Sequence, residues 1–180
     1  MKKTLLIFLI IIAAGLAGFF ILRKYTKSFS PASIAAYHDK GIDVEITYSQ
    51  PAKKGRYIFG REQDKALVPY GKVWRTGANE ATIIKFDKDV KFAGQEVKAG
   101  TYSLWTIPGQ SVWKVILNNE SGQWGTEYND GQDFLKSDVK IRVNRKVEEL
   151  FKIYFQEQPN GVNLILSWDQ TEAIIPIQLP

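Results

Sequence analysis

An alternation of apolar and polar side chains with a period of two dominates this chain from residue 42 onward. In the segment 42–49 every second residue is apolar, and the same alternation recurs in segments 113–117, 139–144, 151–155 and 162–168. Neighbouring side chains of a strand point to opposite faces of a sheet, so this period predicts strands with one buried face. The pattern predicts an all-β fold: a single antiparallel β-sandwich, jelly-roll or immunoglobulin-like, over residues 42–180.

Turn residues separate the predicted strands. Ala93-Gly94 predicts a tight hairpin between Val90–Phe92 and Gln95–Val97, and Pro108-Gly109 fits the centre of a type II turn. No Gly-rich nucleotide-binding motif follows a strand, which disfavours a parallel nucleotide-binding fold. The expected core comprises Val44, Ile46, Val115, Leu117, Ile141, Phe151, Ile153, Leu164 and Leu166.

An uncharged apolar stretch, Leu5–Leu22, precedes the β region. As a helix it would be about 27 Å long, close to the hydrocarbon thickness of about 30 Å. Lys2 and Lys3 precede the stretch, and Arg23-Lys24 follow it directly. We predict that residues 1–24 form an uncleaved, single-pass membrane anchor. A cleaved signal peptide is the alternative, with small residues at 15–17 as the cleavage region.

Two further features concern the side of the membrane on which the domain lies and the segment that connects it to the apolar stretch. Basic residues flank both ends of the apolar stretch, so the positive-inside rule does not orient it. Because the stretch resembles an export signal, we place residues 25–180 in the periplasm or at the cell exterior. Residues 25–41 are predicted to be a tether, either with a short helix over Ala32–Tyr37 or as a disordered spacer.

Charge and composition exclude several classes of function. The chain has 24 Lys and Arg against 19 Asp and Glu, but five of the basic residues precede residue 28, which leaves 19 against 19 in the rest. A domain without excess positive charge is not expected to bind nucleic acid. Cysteine is absent and His38 is the single histidine, which argues against disulfides, zinc–thiolate sites and Ser-His-Asp catalysis. We therefore predict no cofactor and no metal site.

The first candidate site is the segment Trp74–Thr82, where Arg75, Asn79 and Glu80 surround a run of small polar residues. A guanidinium suits a carboxylate or a pair of sugar hydroxyls, an amide donates and accepts, and a carboxylate can act as acid, base or ligand. We expect Arg75 to be mostly buried and bonded to Glu80 or to loop carbonyl groups. A solvent-facing ligand site is the alternative.

The second candidate site is the long polar loop 118–133, in which Trp124 and Tyr128 lie among amides and carboxylates, as in carbohydrate-binding loops. Asn129, Asp130 and Asp133 carry oxygen atoms that suit a hard cation, but their spacing does not match a calcium-binding EF-hand loop. Trp105, in a predicted central strand, is expected in the core rather than as an exposed stacking platform.

Seven segments of the β region carry a resemblance to a known family: Tyr48–Pro51, Lys54–Arg56, Ile58–Gly60, Leu67–Thr82, Ala99–Leu104, Ile107–Gly109 and Gln123–Gly125. They resemble the bacterial "domain of unknown function 2911" family. The resemblance covers about residues 42–179 and implies an exported or envelope-associated β domain, with no activity implied.

Two classes of function fit these observations. The first is a non-catalytic binding or scaffold module of the cell envelope, whose ligand is a glycan, a peptide or another envelope protein. Its candidate ligand-binding residues are Arg75, Asn79, Glu80, Trp124 and Tyr128. The second is a carboxylate-dependent enzyme, such as a glycan hydrolase or lyase, with Glu80 and either Glu127 or Asp130 as acid and base. No catalytic signature supports the enzyme, so we expect a binding module.

Overall fold

A computed structural model describes the backbone of residues 2–180 and the side chains of residues 7–180. The side chains of Lys2 and Lys3, predicted to flank the apolar stretch, lie outside the described part. The helix is α1 (Lys2–Ser28), and the strands are β1 (Ala32–Asp39), β2 (Ile42–Ser49), β3 (Phe59–Gly60), β4 (Val68–Pro69), β5 (Thr82–Phe86), β6 (Val90–Phe92), β7 (Gln95–Val97), β8 (Gly100–Ile107), β9 (Val112–Asn118), β10 (Asp133–Gln158) and β11 (Gly161–Gln178). Two short 3₁₀ helices span Glu62–Asp64 and Asp130–Gln132.

Nine strands form one antiparallel sheet in the order β1-β2-β5-β8-β9-β10-β11-β6-β7, and β3 pairs with β4 in a small parallel ribbon. The long strand β10 pairs first with β9 and then, past residue 140, with β11. The two halves of the sheet therefore face each other: Tyr48 of β2 contacts Phe151 of β10, and Phe86 of β5 contacts Phe92 of β6, with ring centroids 5.7 and 5.8 Å apart. The predicted antiparallel β-sandwich is confirmed.

A cluster of aromatic side chains fills one end of the core. Phe59, Trp74, Trp113, Phe151 and Trp168 meet at ring-centroid distances of 4.8–6.1 Å, mostly edge to face. This geometry is favoured by the quadrupoles of the rings. The predicted core residues are all buried except Ile141, which is half-buried against the core.

The turn predictions had mixed outcomes. Ala93 and Gly94 form the expected hairpin, both with positive φ (50° and 82°), which suits the twist of the paired strands. The type II turn at Pro108-Gly109 is wrong, because Gly109 does not have the positive φ that this turn requires. A Cβ atom at Gly109 would lie 2.3 Å from the carbonyl oxygen of Val112, so close backbone approach explains this glycine instead.

The segment predicted as a short helix or disordered spacer is strand β1, paired along its whole length with β2. A two-residue turn at Lys40-Gly41, both with positive φ (52° and 78°), connects the two strands. In β1 only Ala35 is buried, because this strand lies at the edge of the sheet. The strand therefore lacks the apolar alternation that revealed its partner, and the prediction over Ala32–Tyr37 was wrong.

Helix α1 is one continuous helix whose described part, Ile7–Ser28, is long and apolar enough to cross a membrane. This part has a mean hydropathy of 2.1, and the side chains of Ile7–Ser28 are not buried against the domain. A signal sequence meets the same criteria of length and composition. The helix continues to Ser28, and β1 begins only four residues later.

Candidate functional site

The segment Trp74–Thr82, which we call the motif loop, is fixed by hydrogen bonds from the side chains at its two ends. The Trp74 indole N–H donates to the carbonyl oxygen of Gly77 at 3.0 Å, and the Thr82 hydroxyl donates to the carbonyl oxygen of Thr76 at 2.7 Å. Thr76 is fully buried and left-handed (φ 54°), a strained conformation for a β-branched residue. The backbone before and after Arg75 is therefore fixed, and the direction of its side chain with it.

Arg75 is half-buried, and its Nη1 donates to the carbonyl oxygen of Asn79 at 3.3 Å. Its stem lies against Gly125, where a Cβ atom would come within 2.2 Å of the Arg75 Cδ. Burial lowers the pKa of the guanidinium. Within residues 7–180, no carboxylate forms a salt bridge with Arg75. Of the two expected partners, the structure shows the loop carbonyl group and not Glu80, and the burial of Arg75 is partial.

Glu80 instead binds the end of α1. Arg23 Nη2 lies 3.5 Å from Glu80 Oε1, and Lys27 Nζ contacts the same oxygen. The Arg23 guanidinium carbon also lies 4.7 Å from the centroid of the half-buried Trp124 ring, a cation–π contact. Burial alone would raise the pKa of Glu80, but the hydrogen bond from Lys27 and the charges of Lys27 and Arg23 hold this pKa below its usual range. We call Arg23, Lys27, Glu80 and Trp124 the anchor clasp.

Asn79 fastens the chain immediately after α1 to the motif loop. Its side-chain amide donates to the carbonyl oxygen of Ser30 at 3.1 Å and to the Ser49 hydroxyl at 3.4 Å. The residue has a positive φ (61°), a conformation that asparagine tolerates better than most residues. Its role in the structure is therefore to join three segments of backbone.

Tyr128 belongs to a separate cluster on the outer face of the sheet. Its ring packs 4.8 Å from the buried Trp105, as expected for a core position of Trp105, and its hydroxyl donates to Asp133 Oδ2 at 2.5 Å. Burial and the neighbouring carboxylate raise the pKa of this phenol. The five candidate ligand-binding residues thus serve different local structures, and Trp124 and Tyr128 do not meet Arg75 in one cleft.

Arg75 lines a cleft of about 500 Å³, which we call the basic cleft and which lies within the size range of small-molecule sites. The lining residues are Phe29, Ser30, Pro51, Ala52, Lys54, Arg56, Leu67, Val68, Trp74, Arg75, Gly77, Ala78 and Trp168. Lys54 and Arg56 add two exposed cations, and the exposed Phe29 and Leu67 add apolar surface. The Lys54 ammonium lies 5.3 Å from the Phe29 ring centroid, and Arg56 donates to the carbonyl oxygens of Lys53 and Ala52.

The described lining of the basic cleft contains no Asp or Glu. Two carboxylates near Lys54 bind groups other than its ammonium: Asp169 binds the Lys53 ammonium at 2.6 Å, and Glu149 accepts a hydrogen bond from the Lys54 backbone N–H at 2.7 Å. Among the side chains of residues 7–180, no group of three or more His, Asp or Glu is placed to hold a metal ion. The cleft therefore offers cations and apolar surface, which suit an anion with an apolar part.

Sequence reasoning identified Arg75 but missed Lys54 and Arg56. Both belong to loop 53–58, which has no periodic pattern, and only folding brings this loop beside the motif loop. The sequence did contain one indication of these two residues, because Lys54–Arg56 is one of the segments on which the family resemblance rests. Three of those segments, Tyr48–Pro51, Lys54–Arg56 and Leu67–Thr82, supply most of the lining of the cleft.

Comparison with known protein families matches residues 30–177 to the family described as "Protein of unknown function (DUF2911)". Comparisons with curated proteins and with solved structures gave no match. The matched range begins two residues after the end of α1 and includes the motif loop and all eleven strands except the last residue of β11. The chain therefore belongs to the DUF2911 family.

Proposed function

We propose that this protein is a membrane-anchored binding module of the cell envelope, and that its basic cleft binds an anionic ligand with an apolar part. The observation that carries the proposal is the half-buried Arg75 guanidinium, which lacks a carboxylate partner among the described residues. Most other basic residues of the domain form salt bridges, for example Arg142 with Glu172. An unpaired, partly desolvated cation at a cleft is typical of a site that is completed by its ligand.

An anionic group fits the hydrogen-bonding capacity of this site. A guanidinium has five N–H donors in a planar fork, and the single bond to Asn79 leaves most of them available. Carboxylate and phosphate groups accept two such bonds side by side. The exposed Lys54 and Arg56 add positive potential to the cleft, and the exposed Phe29 and Leu67 offer contact to an apolar part of the ligand.

The composition of the cleft favours binding over hydrolysis. A carboxylate-dependent glycan hydrolase or lyase needs an acid and a base that face one substrate. The described lining of the basic cleft is without carboxylates, and Glu80, the expected acid, is bound by Arg23 and Lys27 in the anchor clasp. These contacts support a non-catalytic role. The apolar helix and the resemblance to exported proteins support a domain outside the cytoplasm.

Phenyl phosphate is a suitable probe, because it combines an anion with an apolar ring. Calorimetric titration of the full chain in a maltoside detergent should detect its binding, and Arg75→Gln should weaken binding about tenfold or more, the effect of one charge-assisted hydrogen bond of about 1.5–3 kcal/mol. Arg145→Gln removes an exposed cation of β10 that does not line the cleft and serves as the matched control. Equal affinity of all three proteins, or equal binding of uncharged phenyl glucoside, would contradict the proposal.

A further inference from the structure

We infer that the ligand of the basic cleft is the phosphate headgroup of a net-anionic phospholipid, taken from the same membrane leaflet in which α1 ends. This inference rests on the proposed function, since it names the source of the anion. Three features of the structure carry it: the position of the cleft along the chain, the contacts that fix the domain to α1, and the apolar residues at the rim.

The position of the cleft follows from the length of α1. Phe29 and Ser30, which line the cleft, come directly after the last helical residue, Ser28. The apolar stretch ends at Leu22, and seven residues at helical rise place Phe29 about 10 Å beyond it along the axis. The headgroup region extends about 5–7 Å beyond the hydrocarbon on each side. For a helix along the membrane normal, the cleft therefore lies about 3–5 Å beyond the headgroup layer, a distance that extended Arg and Lys side chains span.

The anchor clasp fixes the distance between the cleft and the end of the apolar stretch. Arg23 and Lys27, on the last turns of α1, both bind Glu80 of the motif loop, and Arg23 also covers Trp124. Asn79 of the same loop holds the carbonyl group of Ser30. Since Arg75 belongs to this loop, its guanidinium has a fixed position relative to the end of the helix. A domain on a long flexible tether would have no such constraint.

The rim of the cleft has the amphipathic character of a membrane surface. Phe29 and Leu67, both lining residues, are 51% and 43% exposed, and Tyr25 on the last turns of α1 is 62% exposed. Exposed apolar and aromatic side chains next to basic groups are typical of segments that lie at the headgroup level. Here Phe29 and Leu67 line the cleft itself, and the Tyr25 ring lies 5.0 Å from the Phe29 ring.

The charge of the cleft selects among phospholipids. Each phosphodiester offers an anion to Arg75, but the choline of a zwitterionic lipid would bring a cation towards Lys54 and Arg56, which lack salt-bridge partners among the described side chains. Phosphatidylglycerol has no such cation. We therefore expect preference for phosphatidylglycerol over phosphatidylcholine.

The test uses the full chain in nanodiscs of equal parts phosphatidylcholine and phosphatidylglycerol, followed by native mass spectrometry of the released protein and its retained lipid. The wild type and Arg145→Gln should retain phosphatidylglycerol selectively, and Arg75→Gln should lose most of it. Lys54→Gln alters only an exposed side chain, so it tests the same site should Arg75→Gln fail to fold, and it should reduce retention severalfold.

The outcomes separate this inference from the proposed function. Equal retention of both lipids, or full retention by Arg75→Gln and Lys54→Gln, would overturn the lipid assignment. If phenyl phosphate binds through Arg75 but no lipid is retained, the binding module stands and its ligand is soluble. If neither binds, both proposals fall. Inorganic phosphate added to phosphatidylcholine nanodiscs provides the last comparison: thermal stabilisation equal to that given by phosphatidylglycerol would show that free phosphate suffices and would overturn the assignment.

Discussion

Replacement of Arg75 by methionine separates a binding residue from a structural one. Methionine keeps most of the apolar stem that lies against Gly125 but removes the charge. The hydrogen bond to the carbonyl oxygen of Asn79 is lost, at about 0.5–1.5 kcal/mol, yet this oxygen still accepts the N–H of Gly125 at 2.9 Å. Because burial of an unpaired cation opposes folding, removing the charge offsets part of that loss.

We therefore expect the Arg75→Met variant to change the free energy of unfolding by less than about 1 kcal/mol, which for a chain of this size is a shift in Tm of less than about 4 °C. The measurement is a thermal melt of the full chain in detergent, followed by circular dichroism. Phenyl phosphate binding should be lost in the same sample.

Arg142→Met is the matched control, because Arg142 donates at 2.5 Å to Glu172, whose side chain is only 6% exposed. Without Arg142 the buried carboxylate keeps only neutral donors, among them Asn144 and Tyr154. The expected loss is about 1.5–3 kcal/mol, the usual range for a hydrogen bond to a charged group. If Arg75→Met destabilises the chain as much as Arg142→Met, Arg75 is a structural residue and the argument for the cleft is refuted.

Three further perturbations have defined outcomes. Gly125→Ala places a Cβ atom 2.2 Å from Cδ of Arg75 and should weaken phenyl phosphate binding more than tenfold by calorimetry; unchanged affinity would contradict the described packing. Gly77→Ala should cost about 1–3 kcal/mol in a thermal melt, because φ is 154° and the carbonyl oxygen of Ser49 would lie 3.0 Å away; an unchanged Tm would refute this. Because the pKa of Glu80 is depressed, the anchor clasp is stable above the ordinary pKa of 4.5 for a Glu side chain, and it is lost as the pH falls through the lowered pKa. Hydrogen exchange at residues 23–30 should therefore rise in that lower pH range. The Glu80→Gln variant should show no such rise.

The β-sandwich was predictable because each strand with one buried face and one solvent-exposed face alternates between apolar and polar side chains. Ile42–Ser49 is the clearest case, and its strand has the predicted bounds. Strand β1 was not predicted because it lies at the edge of the sheet with only Ala35 buried, so its sequence does not alternate between apolar and polar residues. Its hydrogen bonds to β2, not its side chains, determine its conformation.

The candidate site was only partly predictable, because its contacts join residues far apart in sequence. Neighbouring opposite charges in the motif loop suggested a pair between Arg75 and Glu80, but Glu80 binds Arg23, 57 positions away, and Arg75 has no described acidic partner. The basic residues after Leu22 were interpreted only as flanks of an apolar helix. No local pattern indicates that they also fix the domain to that helix.

The most direct test of the central claim is the position of a bound anion in the full chain. A crystal structure with para-bromophenyl phosphate would locate both ends of this ligand, since bromine and phosphorus scatter anomalously. We predict that the phosphate accepts hydrogen bonds from the guanidinium of Arg75 and that the bromophenyl ring lies against Phe29 and Leu67. A ligand bound elsewhere, with Arg75 still bonded only to the carbonyl oxygen of Asn79, would contradict the account.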